Sequence, residues 1–364
     1  MLDRSRLVTF PLATRTNRVS IAEAAVDPDA SPPPLSPEAA AGVEELAARI
    51  RRSRDLGRPR VMAFGAHTIK NGVGPLLIRL MEEGWLTLLA TNGAGIIHDW
   101  ELAYLGSTSE HVEENVAAGR FGLWEETGRY LNLALVVGAY RGLGYGGSVG
   151  AMIADGGLAI PPRDELLAAI REAVSDPARA AAAADLLDVM SRARLEGGRL
   201  GVPHRYASVS VQAAASRLDI PLTGHPMFGH DIIYTHPLNL GSAVGRTAER
   251  DFLRFADEIS RIDGGVYLSV GSAVMSPMIF EKSLSMAMNL ALQNGEPIRD
   301  HYICVVDLAE SSWDWQRQGE PPPDDPAYYV RFMKTFSRMG GTTAYVCGDN
   351  RSVLANLYRL LRRP

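Results

Sequence analysis

Two cysteines in 364 residues, Cys304 and Cys347, leave no room for the disulfide framework that staples small secreted domains. Both lie inside apolar runs, HYICVVDLA and TTAYVCGD, and read as buried thiols serving as small core hydrophobes in a reducing compartment. No run of about 18 apolar residues occurs, so no transmembrane helix or membrane partner is expected. The first residues, MLDRSRLVTFPLATRTN, contain no unbroken apolar stretch of signal-peptide length, and a cytoplasmic location is expected. Clustered Lys and Arg are missing too, and a net charge of −5 offers nucleic acid no footprint. There is no internal repeat. What remains, 46% hydrophobic residues with a mean hydropathy of −0.04, describes a globular chain with a sizeable core.

Taken in order, residues 1–40 read as an arm ending in a proline-rich linker, DPDASPPPLSPEA, and residues 41–364 as one α/β domain. A helix begins at Pro37, with Ser36 as its N-cap. RPRVMAFGAH reads as a strand ending in a glycine turn, GVGPLLIRLMEEG as a helix, and WLTLLATNGAG as a second strand leading into the helix IIHDWELAYLG. Residues 107–137 read as helical. GAYRGLGYGGSVG reads as a loop that formally matches G-x-G-x-x-G at Gly142, Gly144 and Gly147, with no strong strand before it and no helix opening inside it. Further strands are expected at GGVYLSVG, HYICVVDLAES and TTAYVCGD, with helices between them. Strands alternating with helices predict a doubly wound, mostly parallel, Rossmann-like sheet with ligands at the carboxyl ends of its strands.

The densest chemistry lies between Asp219 and Asn239, DIPLTGHPMFGHDIIYTHPLN, where prolines at 226 and 237 exclude a regular helix. His225, His230, Asp231 and His236 form a candidate set of ligands for zinc or another divalent ion, as in a metal-dependent hydrolase. Structural histidines bonded within loops are the plainer alternative. Three more segments leave expected strands: GAHTIKNG, TNGAGIIHD and VVDLAESSWDW. The loops carrying His67, Lys70 and Gly72, and Thr91, Asn92, Gly93 and Gly95, present glycines that let backbone N–H groups approach a pyrophosphate. Asp307, ending CVVD, is placed to accept from a ribose hydroxyl or an adenine amine. In WEETG, Trp124 to Gly128, two carboxylates face either an amine or solvent.

GAHTIKNG, TNGAGIIHD and DIPLTGHPMFGHDIIYTHP, in this order, resemble the NAD-binding blocks of deoxyhypusine synthase over roughly residues 60–310. Gly72, Thr91, Gly95 and Asp99 stand in register with that family, as do Asp231 and His236. The resemblance implies a Rossmann-like deoxyhypusine synthase fold, bound NAD, an amine or amino-acid-like substrate and a homotetramer. It also implies His236 as general base beside the nicotinamide, with Asp231 and Asn239 orienting substrate. The family's active-site lysine aligns near Ser285 in SPMIFEKSLSMAM, so Lys282, one turn earlier, is the candidate substitute. The same departure supports a divergent member rather than a true deoxyhypusine synthase, or a homologue that binds without turnover.

Overall fold

Short apolar runs closed by glycine turns become strands here, and the alanine- and leucine-rich runs between them become helices. The computed structural model describes residues 2–311 and 313–363. Its strands are β1 (Asn17–Ser20), β2 (Arg60–Phe64), β3 (Leu88–Asn92), β4 (Ser107–Glu110) and β5 (Gly157–Ile160), then β6 (Gly198–Gly201), β7 (Leu222–His225), β8 (Val266–Val270), β9 (Tyr302–Asp307) and β10 (Thr342–Cys347). The expected helix after Ser36 spans Pro37–Asp55, and the Ser36 hydroxyl accepts from the Ala39 amide at 3.1 Å.

The described chain divides into two compact units. The first comprises residues 1–23, 96–217 and 224–251, the second residues 24–95, 218–223 and 252–364. The sequence reading of an arm and one domain draws its boundary elsewhere, at residue 40.

The second unit holds the main sheet, in the order β10-β9-β8-β2-β3-β7. β10, β9, β8, β2 and β3 pair in parallel along that row. The fold is therefore α/β with a mostly parallel sheet. Ranked by their order along the chain, these strands lie 6-5-4-1-2-3, the doubly wound order whose direction of growth reverses between the first and fourth strands. That reversal falls between β2 and β8. One face of the sheet packs on the helix Met275–Gln293 and its neighbours through Tyr267, Phe280 and Phe336, with Tyr267 and Phe280 stacked at 4.3 Å.

The first unit is mainly helical. The helix Glu125–Arg141 is buried along most of its length, because its residues from Leu131 to Val137 are apolar on nearly every side except Asn132. Tyr145–Asp155 packs on it so closely that a Cβ at Gly138 would collide with the Ser148 side chain. Two small antiparallel pairs, β1 with β4 and β5 with β6, complete this unit.

Three sequence expectations are corrected. Residues 107–137 are not one helical stretch: β4 opens them, and left-handed glycines at 119 and 122 end the short helix Val112–Ala117 before Glu125. A helix does open inside the glycine-rich segment, at Tyr145, after Gly142 closes the preceding helix at φ 79°. Cys304 is buried, with its thiol pushed up to about 12, whereas Cys347 ends its edge strand exposed. No helix among the described residues is long and apolar enough to cross a membrane.

Candidate nucleotide crevice and the histidine stretch

At the carboxyl ends of the second unit's strands lies a crevice of about 270 Å³. His67 and Asn71 reach it from the segment after β2, Gly271 from the turn after β8, Asp307 and Leu308 from β9, and Gly348, Asp349 and Asn350 from β10. It sits at the reversal of strand order, where open α/β sheets hold their ligands. Two turns approach closely at the crevice-lining Gly271. The Gly65 amide donates to Val270 O at 3.0 Å, and a Cβ on Gly65 would fall inside the carbonyl oxygen of Gly271. Gly65→Ala is therefore expected to lower stability by roughly 1–3 kcal/mol, since two backbones must separate, and a denaturation midpoint measures it.

Among the described residues, the crevice lining carries two carboxylates and no Lys or Arg. Asp307 Oδ1 accepts from the amides of Leu308 (2.8 Å) and Ala309 (3.2 Å), so that oxygen caps its own turn. Asp349 accepts from Ser352 N at 3.0 Å as the N-cap of Asn350–Leu361. Asn71 Nδ2 donates to Asn350 Oδ1 at 3.0 Å, which ties the β2 and β10 exits together.

Of the expected cofactor residues, His67 and Asp307 line this crevice and the others do not. Lys70 ends the short helix Ala66–Lys70. Gly72, at φ 74°, lies against the main chain of Ala24, and its carbonyl accepts from Val26 N. The Thr91 hydroxyl donates to Phe64 O at 2.9 Å, and Gly95 gives that hydroxyl the room it needs. Asn92 Oδ1 accepts from Gly95 N, capping the helix Gly93–Leu105 that Gly93 begins. These residues build the turn after β3.

Asp99 is a correction. Its buried carboxylate accepts from Ser210 Oγ (2.6 Å), Val211 N (2.9 Å), and Gln212 N and Nε2 (3.1 and 2.9 Å). It caps the helix Val211–Arg217. The G-x-G-x-x-G segment is likewise filled from within. The N-terminus of Tyr145–Asp155 presents the Gly146 amide to Asp251 Oδ2 at 2.8 Å, and Gly224 N donates to the same oxygen at 2.7 Å. A side-chain carboxylate holds the place a phosphate would take.

The histidine stretch starts in β7 and runs through the first unit. His225 is buried, its imidazole pushed down to about 3 by burial, and His230 is exposed after Gly229 at φ 83°. His236 is buried against Gly128, with Nδ1 accepting from Leu238 N at 3.1 Å and Nε2 donating to Glu125 Oε2 at 3.2 Å. The Leu238 amide leaves Nδ1 without a proton, so Nε2 carries it toward Glu125. Both nitrogens are engaged, which corrects the expectation of an open general base. Among the described residues no three His, Cys, Asp or Glu side chains are placed to hold a metal ion, so the candidate set at 225, 230, 231 and 236 does not assemble. Chain direction is the reason: His230 faces solvent at the turn while His236 points into the helix Glu125–Arg141.

Asp231 differs from its neighbours. Among the described residues its buried Oδ2 has no partner, nor has the nearby buried Tyr234 hydroxyl, and burial raises the Asp231 carboxyl to about 7 against a single backbone bond from Met227. Asn239 is buried, with Nδ2 donating to Asn132 Oδ1 at 2.9 Å. Lys282 is exposed on Met275–Gln293 and paired with Glu281 at 2.9 Å, and Ser285 is exposed as well. Sequence reasoning missed Asn71, Gly271, Asp349 and Asn350, although VGS after β8 and CGDN after β10 are strand exits like the four it chose.

No family model matches the chain, and no curated protein matches it. Among solved structures it is similar to AgrE in ternary complex with ornithine and NAD+, at 14% identity and a TM-score of 0.43, over 90% of this chain and 34% of that one. It is similar to apo ArgZ, a cyanobacterial arginine dihydrolase of the ornithine-ammonia cycle, at 16% identity and a TM-score of 0.40, over 88% and 32%. A conserved putative LOR/SDH protein from Methanococcus maripaludis S2 aligns at 13% identity and a TM-score of 0.44, over 93% and 74%. The chain spans about a third of the length of AgrE and ArgZ.

Proposed function

We propose that the chain is a NAD-dependent enzyme acting on an amine or amino-acid-like small molecule, with NAD held by the second unit. The observation that carries the nucleotide half is the 6-5-4-1-2-3 strand order with a polar crevice at its reversal. Asp307 and Asp349 offer carboxylate oxygens to ribose hydroxyls, and the amides of Asn71 and Asn350 offer donors and acceptors to a base or diphosphate. NAD bound there supplies a hydride acceptor. Within the first unit, Asp231 has a buried oxygen without a partner among the described residues and a carboxyl raised to about 7, which suits proton exchange with an amine. His236 is assigned to holding the stretch through Glu125. Aminobutyl transfer is left out of the proposal, because the exposed, paired Lys282 offers no desolvated nucleophile. The resemblance to deoxyhypusine synthase and a homotetrameric assembly remain part of the proposal, and light scattering tests the latter.

Titration of the purified chain with NAD+, followed by tryptophan fluorescence or calorimetry, tests the nucleotide half. Asp307→Ala is expected to weaken binding about tenfold or more, the loss of one charged hydrogen bond. Cys347 offers an independent readout: it is exposed one residue before the crevice-lining Gly348, while Cys304 is sealed in the core. One thiol per chain should react with a maleimide under native conditions, and NAD+ should slow it. A chain that neither carries nor binds NAD(H) removes the proposal. The engagement of both His236 nitrogens favours a second reading, a nucleotide-binding homologue without turnover. Reduced nicotinamide forming on addition of amino acids to the NAD-loaded protein would exclude that reading.

A further inference from the structure

The groups considered so far leave unused a contact at the end of the histidine stretch. Arg4, in the N-terminal segment, reaches across the first unit to three oxygens. Its Nη1 donates to Tyr234 O and to Asn239 Oδ1, both at 2.8 Å, and its Nη2 donates to Asn239 O at 3.1 Å. The receiving oxygens are held by partners other than Arg4. Asn239 Nδ2 donates to Asn132 Oδ1, which turns Asn239 Oδ1 outward. Asn132 is itself fixed by donating to Gly128 O (2.7 Å) and Ile233 O (3.0 Å). Asn239 is 4% exposed and Asn132 is 3% exposed, so this cradle is built into the unit rather than draped on its surface. Two nitrogens of one planar fork meet three acceptors, which fits a guanidinium and fits a single ammonium poorly. Beside it runs a groove of about 570 Å³ lined by Leu2, Asp3, Arg4, Ser5, Arg192, Pro237 and Leu238.

We propose that the Tyr234–Asn239 cradle is a guanidinium-binding site, that Arg4 occupies it as an internal ligand, and that a small guanidinium compound competes with Arg4 for it. The segment carrying Arg4 is anchored further along by Thr9 Oγ1 to Glu125 Oε2 at 2.7 Å and by Phe10 N to Leu123 O at 2.8 Å. Release of Arg4 therefore frees the first residues without unseating the rest. The site takes an alkylguanidine or an arginine-like molecule. It sits on the same loop as Asp231 but does not depend on nucleotide binding.

The test compares methylguanidinium chloride with methylammonium chloride at equal millimolar concentration, on wild type, Arg4→Ala and a control, Arg6→Ala, whose side chain is exposed. Arg4→Ala is expected to lower Tm by about 2–4 °C. Methylguanidinium should restore at least half of that loss and methylammonium none, with no restoration in the control. On the unmodified chain, hydrogen exchange over Leu2–Leu7 should rise in methylguanidinium and stay unchanged in methylammonium, a readout that needs no variant. Equal action of the two salts, or none by either, overturns the proposal and leaves Arg4 a tether.

Discussion

Arg15→Ala is expected to cost about 3–5 kcal/mol of stability, the penalty of leaving a buried carboxylate without its counter-charge. Arg15 donates through both terminal nitrogens to Glu101, at 2.8 and 2.7 Å, and the two side chains are 2% and 1% exposed. The hydroxyls of Thr108 and Thr127 also donate to Glu101, so the carboxylate keeps two donors but loses its charge partner. Burial pushes the Glu101 carboxyl up, and the charge and hydrogen bonds of Arg15, with His98 and Thr108, together more than offset it, leaving it below its ordinary range. A lowered carboxyl contributes stability above its unfolded pKa and loses it as pH falls through the folded one. The variant reverses that direction, because a lone buried Glu101 takes up a proton more readily than in the unfolded chain. The destabilisation should therefore be larger at pH 7 than at pH 4, as read from urea midpoints. A loss of equal size at both pH values would contradict the account. Replacing both partners at once, Arg15→Met with Glu101→Leu, should recover much of the single-variant loss.

Asp231→Asn is expected to stabilise the folded chain above neutrality and to abolish the proposed activity. The folded carboxyl lies at about 7 against an ordinary value of 3.8, because burial disfavours its charge. A group raised in the folded state contributes stability that is complete below about pH 4 and lost as pH rises through about 7. Roughly three pH units at about 1.4 kcal/mol each set an upper bound near 4 kcal/mol, and water reaching the opened site reduces it to about 2. Asparagine keeps an acceptor for the Met227 amide and cannot ionise. Wild type and variant should unfold alike near pH 4 and diverge by about 2–4 kcal/mol at pH 8, with the variant the more stable. A difference that does not change with pH would sink this assignment. A gain in stability coupled to loss of activity is the usual mark of a group kept for chemistry.

The alternation of elements was legible because most strands of the main sheet are short apolar runs and several helices begin or end at a punctuating residue. Ser36 opens one helix, Gly84 follows another at φ 70°, and Gly142 ends a third. The segment 107–137 misled because its strand, STSE, is polar, and the burial of Thr108 comes from pairing with β1 and bonding Glu101. Asp231 was legible as a candidate of the stretch, but its orphaned oxygen is a property of packing. The engagement of His236 was not legible, since Glu125 lies 111 residues earlier and nothing in either segment names the other. Asp99 stood where a cofactor ligand was sought, yet its partners are the amides of a helix more than a hundred residues on. Local pattern thus located the strand exits, and long-range pairing decided which of them bound to protein and which opened on the crevice.

The pairing of β2 with β8 has a consequence for how the chain is made. Arg60 sits opposite Val266, so the two strands that frame the crevice are neighbours in the sheet and about 200 residues apart in the chain. A ribosome must finish β8 before the strand order can reverse, and β9 and β10 must follow before Asp307 and Asp349 arrive. Until then β2 has only β3 beside it among its final neighbours, with one edge open. The crevice forms only after β8, β9 and β10 have followed β2 from the ribosome, and a nascent chain stalled before residue 266 should show an unpaired β2 edge and no nucleotide affinity.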